Sequence, residues 1–273
     1  MKLADGRIVH PYASTWLGYG LAGTKKSDFF STFPKPMLVH MFDPWGKERP
    51  YLRRGRPHPN HKTYDAARFQ DDHGTWVTEV YHRKDDRLLI RIEHYVDDAS
   101  DIYKPDAYDR YHTRTKEREK EDGFDEFKTV GWDSLTYFAM ARRKWDEFVL
   151  NATSKSGKKQ DGKQWYGAAA RAVEDEICRR ATMLRMNTFV TAHINMEKKD
   201  AAGATLFLPA APGQLATALP AGFAEVYRFY MRGGEYQVQT QPNSQYVACT
   251  QIPAPNGFDP DGGYRGIWDE LED

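Results

Sequence analysis

At 273 residues the chain has room for one large domain or two small ones, and for a substantial hydrophobic core. Lys plus Arg and Asp plus Glu both number 39, so the formal charge is zero and no overall field draws the protein to DNA or to an anionic membrane; any nucleic-acid site has to be local. No apolar run approaches the roughly 20 residues that span a bilayer, Met1–His10 has no signal-peptide core, and Cys178 and Cys249 are too few for a disulfide framework or a cysteine zinc site, which together point to a cytoplasmic protein.

Thr15 to Tyr19 reads as a short apolar strand broken by Gly20, and Lys26 to Phe33 as a helical turn or two ended by Pro34. Met37 to Phe42 has the length and apolarity of a buried parallel strand, stopped by Asp43-Pro44. From Trp45 to Glu126 the chain turns polar, basic and aromatic, an insertion (46–126) within a single domain expected over residues 1–258. Inside it Trp76 to Tyr81 and Leu88 to Val96 alternate as a hairpin, and Pro105 to Lys120 suits a helix. The core resumes at Phe127 to Trp132, followed by a helix from about Thr136 to Asn151. Thr153 to Gln164 has the composition of a loop, Trp165 to Leu184 carries apolar residues at helical spacing, and Thr188 to Ile194 is a third buried strand. Glu225 to Met231 and Tyr236 to Thr240 form a closing hairpin around Gly233-Gly234. Tyr246 to Ile252 is expected as a last strand and 259–273 as an acidic tail with a frayed end.

The stretch Gly20-Leu21-Ala22-Gly23-Thr24-Lys25-Lys26-Ser27 fits the phosphate-loop pattern at every defined position but one, with Lys25 where glycine is expected. In such a loop successive backbone N–H groups and the positive end of the following helix surround the β-phosphate, a lysine reaches the β- and γ-phosphates, and a hydroxyl ligates magnesium. Lys26 and Ser27 are the residues for those roles, with Gly20, Gly23, Thr24 and Lys25 completing the nucleotide-binding loop; the bland alternative is a basic turn. Asp133 ends a buried strand, where a carboxylate can hold magnesium opposite the loop, and equally can cap the helix that starts near Ser134.

With these elements in this order the chain resembles the phage-encoded RecA-like P-loop ATPases associated with single-strand annealing and recombination. The resemblance rests on Tyr19 to Ser27, Thr32 to Val39, Trp132 to Thr136, Trp165-Tyr166-Gly167, Val190 to His193 and Leu215 to Phe223, and it spans Thr15 to Thr240. It implies an α/β RecA-like core with a mostly parallel central sheet flanked by helices. It also implies binding of ATP with Mg2+, a homo-oligomeric ring or filament in which a neighbour completes the active site, and single-stranded DNA as partner. By the same resemblance His193, at the end of the strand after the Asp133 helix, senses the γ-phosphate, and Asp43 orients the attacking water; a strand-end histidine and a turn-initiating aspartate are their plain alternatives.

Lys25 departs from the pattern where a glycine lets the backbone approach the phosphates, so nucleotide binding is a firmer expectation than hydrolysis. The alternative to an ATP-dependent recombination protein is a non-hydrolysing nucleotide-binding scaffold; a further alternative is a loop that binds nothing. Lys155, Lys158, Lys159 and Lys163 can follow a DNA backbone. Lys47, Arg49, Arg53, Arg54 and Arg56 around Tyr51 suit DNA or a neighbour's nucleotide equally. His58 and His61, flanked by Pro57 and Pro59, belong to a loop rather than a metal site. The acidic C-terminal tail, with Ile267, Trp268 and Leu271, is a candidate surface for a protein partner.

Overall fold

The computed structural model describes residues 14–59, 68–150, 162–199, 205–252 and 254–268. Among these, a mixed sheet of ten strands runs through the molecule. Its strands are β1 (Thr15–Gly20), β2 (Met37–Met41), β3 (Arg56–Pro57), β4 (Arg68–Gln70), β5 (Trp76–Tyr81), β6 (Leu88–His94), β7 (Thr129–Asp133), β8 (Asn187–Ala192), and then, past a separate β9–β10 pair (Ile194–Lys199 and Thr205–Pro209), β11 (Glu225–Arg232) and β12 (Glu235–Gln239). The order is β12-β11-β1-β8-β7-β2-β6-β5-β3, with β4 also paired to β5. The six central strands β11, β1, β8, β7, β2 and β6 are parallel, while the edge pairings, β12 on β11, β5 on β6, and β3 and β4 on β5, are antiparallel.

A parallel strand covered by helices on both faces is apolar on both, and the central strands read that way. On β1, Leu17 and Tyr19 face one core and Trp16 the other; on β2, Leu38 faces the first and Met37, Val39 and Met41 the second. The first core is closed by α3 (Ala107–Lys120), α4 (Leu135–Lys144) and the helix running through α5 (Gly162–Val173) and α6 (Arg179–Met183), joined by a π turn at Glu174–Cys178. α7 (Leu215–Ala218) adds Ala216 to it. The second core is closed by α1 (Lys26–Phe30), α2 (Arg49–Leu52) and α8 (Gly263–Trp268). There Phe30 of α1 stacks on Phe189 of β8, ring centroids 4.6 Å apart. Gly18 leaves the room for this, since a Cβ on it would lie 2.4 Å from the Phe30 ring.

The α/β class, the parallel sheet, the inserted hairpin with its helix, and the closing hairpin agree with the sequence reading. The insertion nonetheless feeds the core: β6 pairs in parallel with β2 and extends the central sheet. Its anchor is Glu93, wholly buried, which accepts two bonds from Arg118 of α3 (2.7 and 3.0 Å) and one from the Tyr95 hydroxyl (2.8 Å).

Four local expectations are corrected. Gly162 to Gln164 are helical and belong to α5, and the Thr136 helix ends in a π turn at Trp145–Val149. Tyr246 to Ile252 makes only isolated bridges, Phe207 to Tyr246 and Val226 to Cys249, because Cys249 meets the outer end of β11 without continuing along it. Ile267, the first residue of the expected frayed end, is instead packed at 1% exposure, and just before it the Tyr264 N–H donates to Thr32 Oγ1 at 2.8 Å. Leu271 and the other residues of 269–273 lie outside the described residues.

Candidate nucleotide and metal site

Parallel strands deliver their carboxyl ends to one edge of a sheet, and loops there converge. Gly20 ends β1, Asp43 follows β2 by two residues, Asp133 ends β7, Thr191 lies near the end of β8 and His193 follows it. Residues scattered over 173 positions of sequence thus meet at one edge.

β1 breaks at Gly20 because nothing larger fits: a Cβ there would stand 2.1 Å from the Phe229 carbonyl oxygen. The loop then turns through Gly23 at φ 77° and Lys25 at φ 64°, both left-handed. For Lys25 that conformation costs about 1 kcal/mol that glycine would not incur. The Lys25 backbone caps α1, whose first N–H groups have no partner inside the helix. Its ammonium points away, donating to Asp261 Oδ2 at 2.6 Å and lying 4.4 Å from the centre of the Tyr236 ring. Asp261 and the Tyr236 ring hold it there.

Lys26 is buried, 8% exposed, and folds back on its own loop, donating to the carbonyls of Gly20 (3.0 Å) and Leu21 (2.8 Å). Burial lowers its pKa to about 8, against the upward pull of Asp133 and Asp43. Thr24 Oγ1 closes the turn on the Leu21 carbonyl at 2.8 Å.

Asp133 is the hub. Its Oδ2 accepts from Ser27 Oγ at 2.7 Å and from the Tyr51 hydroxyl at 2.8 Å, and its Oδ1 accepts from the Thr191 hydroxyl. The helix-cap alternative fails: the residue capping α4 is Ser134, with no side-chain cap bond, and Asp133 faces the loop. Ser134 Oγ instead donates to Asp43 Oδ1 at 2.5 Å, and the Phe42 N–H donates to the Asp133 carbonyl at 2.6 Å, which seats Asp43 beside Asp133. Burial and then repulsion from Asp133 push Asp43 up to about 7.

His193 donates its backbone N–H to Thr136 Oγ1 at 3.1 Å and packs its ring edge-on against Tyr137. Burial and the charge of Lys26 lower its pKa, while Asp133 acts in the opposite sense, so the imidazole lies within the field of the site and stays neutral at pH 7. Lys47 belongs here too, since its charge acts on both Asp43 and His193.

The other basic candidates lie elsewhere. Arg54 is tied to α1 through Ser31 Oγ (3.0 Å) and the Asp28 carbonyl (3.3 Å), and Arg56 pairs with Asp86. Lys155, Lys158 and Lys159 lie outside the described residues, and of Lys163 only the backbone, in α5, is described. His61 also lies outside, and His58 Nε2 sits 3.4 Å from Glu79 Oε2.

Tyr51 and Thr191 were not legible as site residues. Tyr51 sits in the insertion, 82 positions from Asp133, where the sequence shows only an aromatic among arginines. Thr191 carries a faint signal, a hydroxyl in a wholly buried strand, which needs a partner, but Asn187 and Thr188 of the same strand share it.

No family model matches the sequence, and no curated protein matches it. Two solved structures have related shapes. One is a prototypical ATPase from the type III secretion system of pathogenic bacteria, with TM-score 0.40 and 9% identity over 80% of this chain and 52% of that one. The other is the flagellar accessory protein FlaH from Methanocaldococcus jannaschii, with TM-score 0.36 and 11% identity over 89% and 84%. The chain spans about half the length of the secretion ATPase.

Proposed function

We propose that the protein binds ATP with Mg2+ at the Gly20–Ser27 loop and acts as a RecA-like protein in phage DNA recombination or single-strand annealing. The observation that carries the nucleotide reading is the Ser27–Asp133 bond at 2.7 Å, which joins the loop hydroxyl to a strand-end carboxylate 106 positions away. A basic turn on the surface has no reason to meet that carboxylate. The Asp133 carboxylate and the Ser27 hydroxyl are hard oxygen donors of the kind that magnesium takes. Held there, the ion would draw charge from the triphosphate.

In this reading Lys26 exchanges the Gly20 and Leu21 carbonyls for phosphate oxygens, a trade of neutral acceptors for charged ones. The N–H groups of the loop and of the first turn of α1 receive the phosphates. Asp43 is the candidate to orient the attacking water and neutral His193 to sense the γ-phosphate. Single-stranded DNA, drawn by Lys155, Lys158, Lys159 and Lys163, a ring or filament of copies, and a protein partner at the acidic C-terminus are the assembly this function requires.

A non-hydrolysing scaffold is the second reading. It is favoured by Asp43, whose Oδ1 already accepts the Ser134 hydroxyl at 2.5 Å, which leaves that oxygen less free to take a proton from water. Nucleotide titration and ATP hydrolysis with and without single-stranded DNA separate the two. Turnover stimulated by DNA and abolished in Lys26→Met overturns the scaffold; tight binding without turnover overturns the ATPase; no Mg-nucleotide binding at millimolar concentration overturns both.

A further inference from the structure

Asp133 has roughly four lone-pair sites, and three are filled by hydroxyl groups from Ser27, Tyr51 and Thr191. Ser27 belongs to the phosphate loop and Thr191 to the neighbouring β8. Tyr51 comes from neither. It sits on α2, inside the insertion, and is completely buried. It shares Oδ2 with Ser27, so the oxygen that meets the loop hydroxyl is the same oxygen the phenol holds.

α2 is itself held at both ends. Glu48, ahead of it and 1% exposed, accepts from the Gly46 N–H at 2.7 Å and from Arg68 of β4. Arg54, behind it, reaches across to Ser31 and Asp28 of α1. The phenol therefore has a fixed origin, and the carboxylate it grips has little freedom to rotate. With three sites filled, one acceptor site of Asp133 is left in a defined direction for the water shell of a cation.

We infer that Tyr51 is a positioning residue of the metal-nucleotide site, fixing the Asp133 carboxylate through its 2.8 Å hydroxyl bond and so setting the affinity for the divalent cation. The inference rests on the nucleotide reading above. A group that orients a carboxylate facing a cation typically changes metal affinity by about 10- to 100-fold when removed. Since Ser27 and Thr191 remain after loss of the phenol, the lower end of that range is expected.

The test is Tyr51→Phe in the full chain, read by titrating Mg2+ against a fluorescent ATP analogue at fixed concentration, and by nucleotide binding in EDTA. The expected result is a half-saturating Mg2+ concentration raised about tenfold, with binding in EDTA unchanged. Tyr95→Phe is the control for mere loss of a buried phenol, because the Tyr95 hydroxyl donates to Glu93 at the same 2.8 Å and bonds no residue of the site. It is expected to lower the unfolding temperature without moving the Mg2+ midpoint. Should Tyr51→Phe unfold below the assay temperature, the same titration is run below its unfolding midpoint, with Tyr95→Phe and wild type at that temperature. An unchanged Mg2+ midpoint, or an equal shift in Tyr95→Phe, overturns the role of Tyr51. If instead Lys26→Met binds Mg-ATP as the wild type does, the nucleotide reading itself fails, and the two failures are told apart.

Discussion

Replacing Lys26 by Met should make the nucleotide-free protein more stable while removing its affinity for nucleotide. Lys26 is 8% exposed, and its pKa falls from 10.5 to about 8 because burial disfavours the ammonium more than Asp133 and Asp43 favour it. Both values lie above 7, so at neutral pH the amine is charged in the folded and unfolded chains alike and the full penalty, about 3 kcal/mol, is present. As pH rises from about 8 towards 10.5 the folded amine sheds its proton before the unfolded one, and the penalty fades. Methionine removes it, but leaves the Gly20 and Leu21 carbonyls without the amine, at about 1 kcal/mol each. The net gain is about 1 kcal/mol, or about 2–4 °C in unfolding temperature for a chain of this size. Thermal unfolding at pH 7, with and without Mg-ATP, reads both halves: a higher midpoint alone, and no further rise with nucleotide. A Lys26→Met protein that melts lower than wild type at pH 7 would refute the claim that this lysine is held at a cost, and one that Mg-ATP still stabilises would refute its place on the phosphates.

Asp43, raised from 3.8 to about 7, prefers its protonated form in the fold, so it contributes stability below about 4 that is lost as pH climbs through 7. Asp43→Asn should flatten the pH dependence of nucleotide-free unfolding between pH 4 and 7, and parallel curves for the two proteins would remove the basis for that shift. Glu93→Gln leaves Arg118 charged and buried with half its partner gone, and should cost about 3–5 kcal/mol in denaturant unfolding; a loss under about 1 kcal/mol would show that the insertion is anchored elsewhere. Lys25→Gly relieves about 1 kcal/mol of left-handed backbone cost and forfeits a surface ion pair with Asp261 and the Tyr236 contact, of similar combined worth. Its unfolding midpoint should therefore lie within a few degrees of wild type and its ATP affinity should be no weaker, whereas a loss above about 2 kcal/mol would make the Lys25–Asp261 contact a structural clasp.

What the sequence made legible follows from how locally each feature is determined. β1 and β2 are written in runs of neighbouring residues, because a strand buried on both faces is largely apolar; β7 and β8 carry shorter apolar runs, and the closing hairpin is marked by its Gly233-Gly234 turn. The loop is local as well, since its glycines answer to close approach and turning within eight residues. Tyr51 and Thr191 are hidden because their meaning lies in a partner 82 and 58 positions away, and a hydroxyl in the sequence does not name the group it bonds. The role of β6 was hidden for a related reason. Leu88 to Val96 alternates as a hairpin strand would, and it takes Glu93 paired with Arg118 of α3 to let a carboxylate pass into the interior of the sheet.

Lys25 shows how a departure from a motif can be absorbed without erasing the site. The backbone at that position still takes the left-handed turn that sets α1 in place, so what a phosphate would meet, the N–H groups and Lys26, keeps its arrangement. What changes is the side chain, and Asp261 with Tyr236 draws it off to the far side of the loop. Asp261 lies in the same C-terminal stretch whose Tyr264 and Ile267 pack into the core beside Trp16 and Phe33. Sequence that reads as a tail thus supplies the counter-charge for the residue that breaks the motif. On the proposed reading, binding would draw on the loop and the Ser27–Asp133 pair, whereas turnover would further draw on Asp43, the member whose Oδ1 Ser134 already holds and whose charge burial and Asp133 oppose.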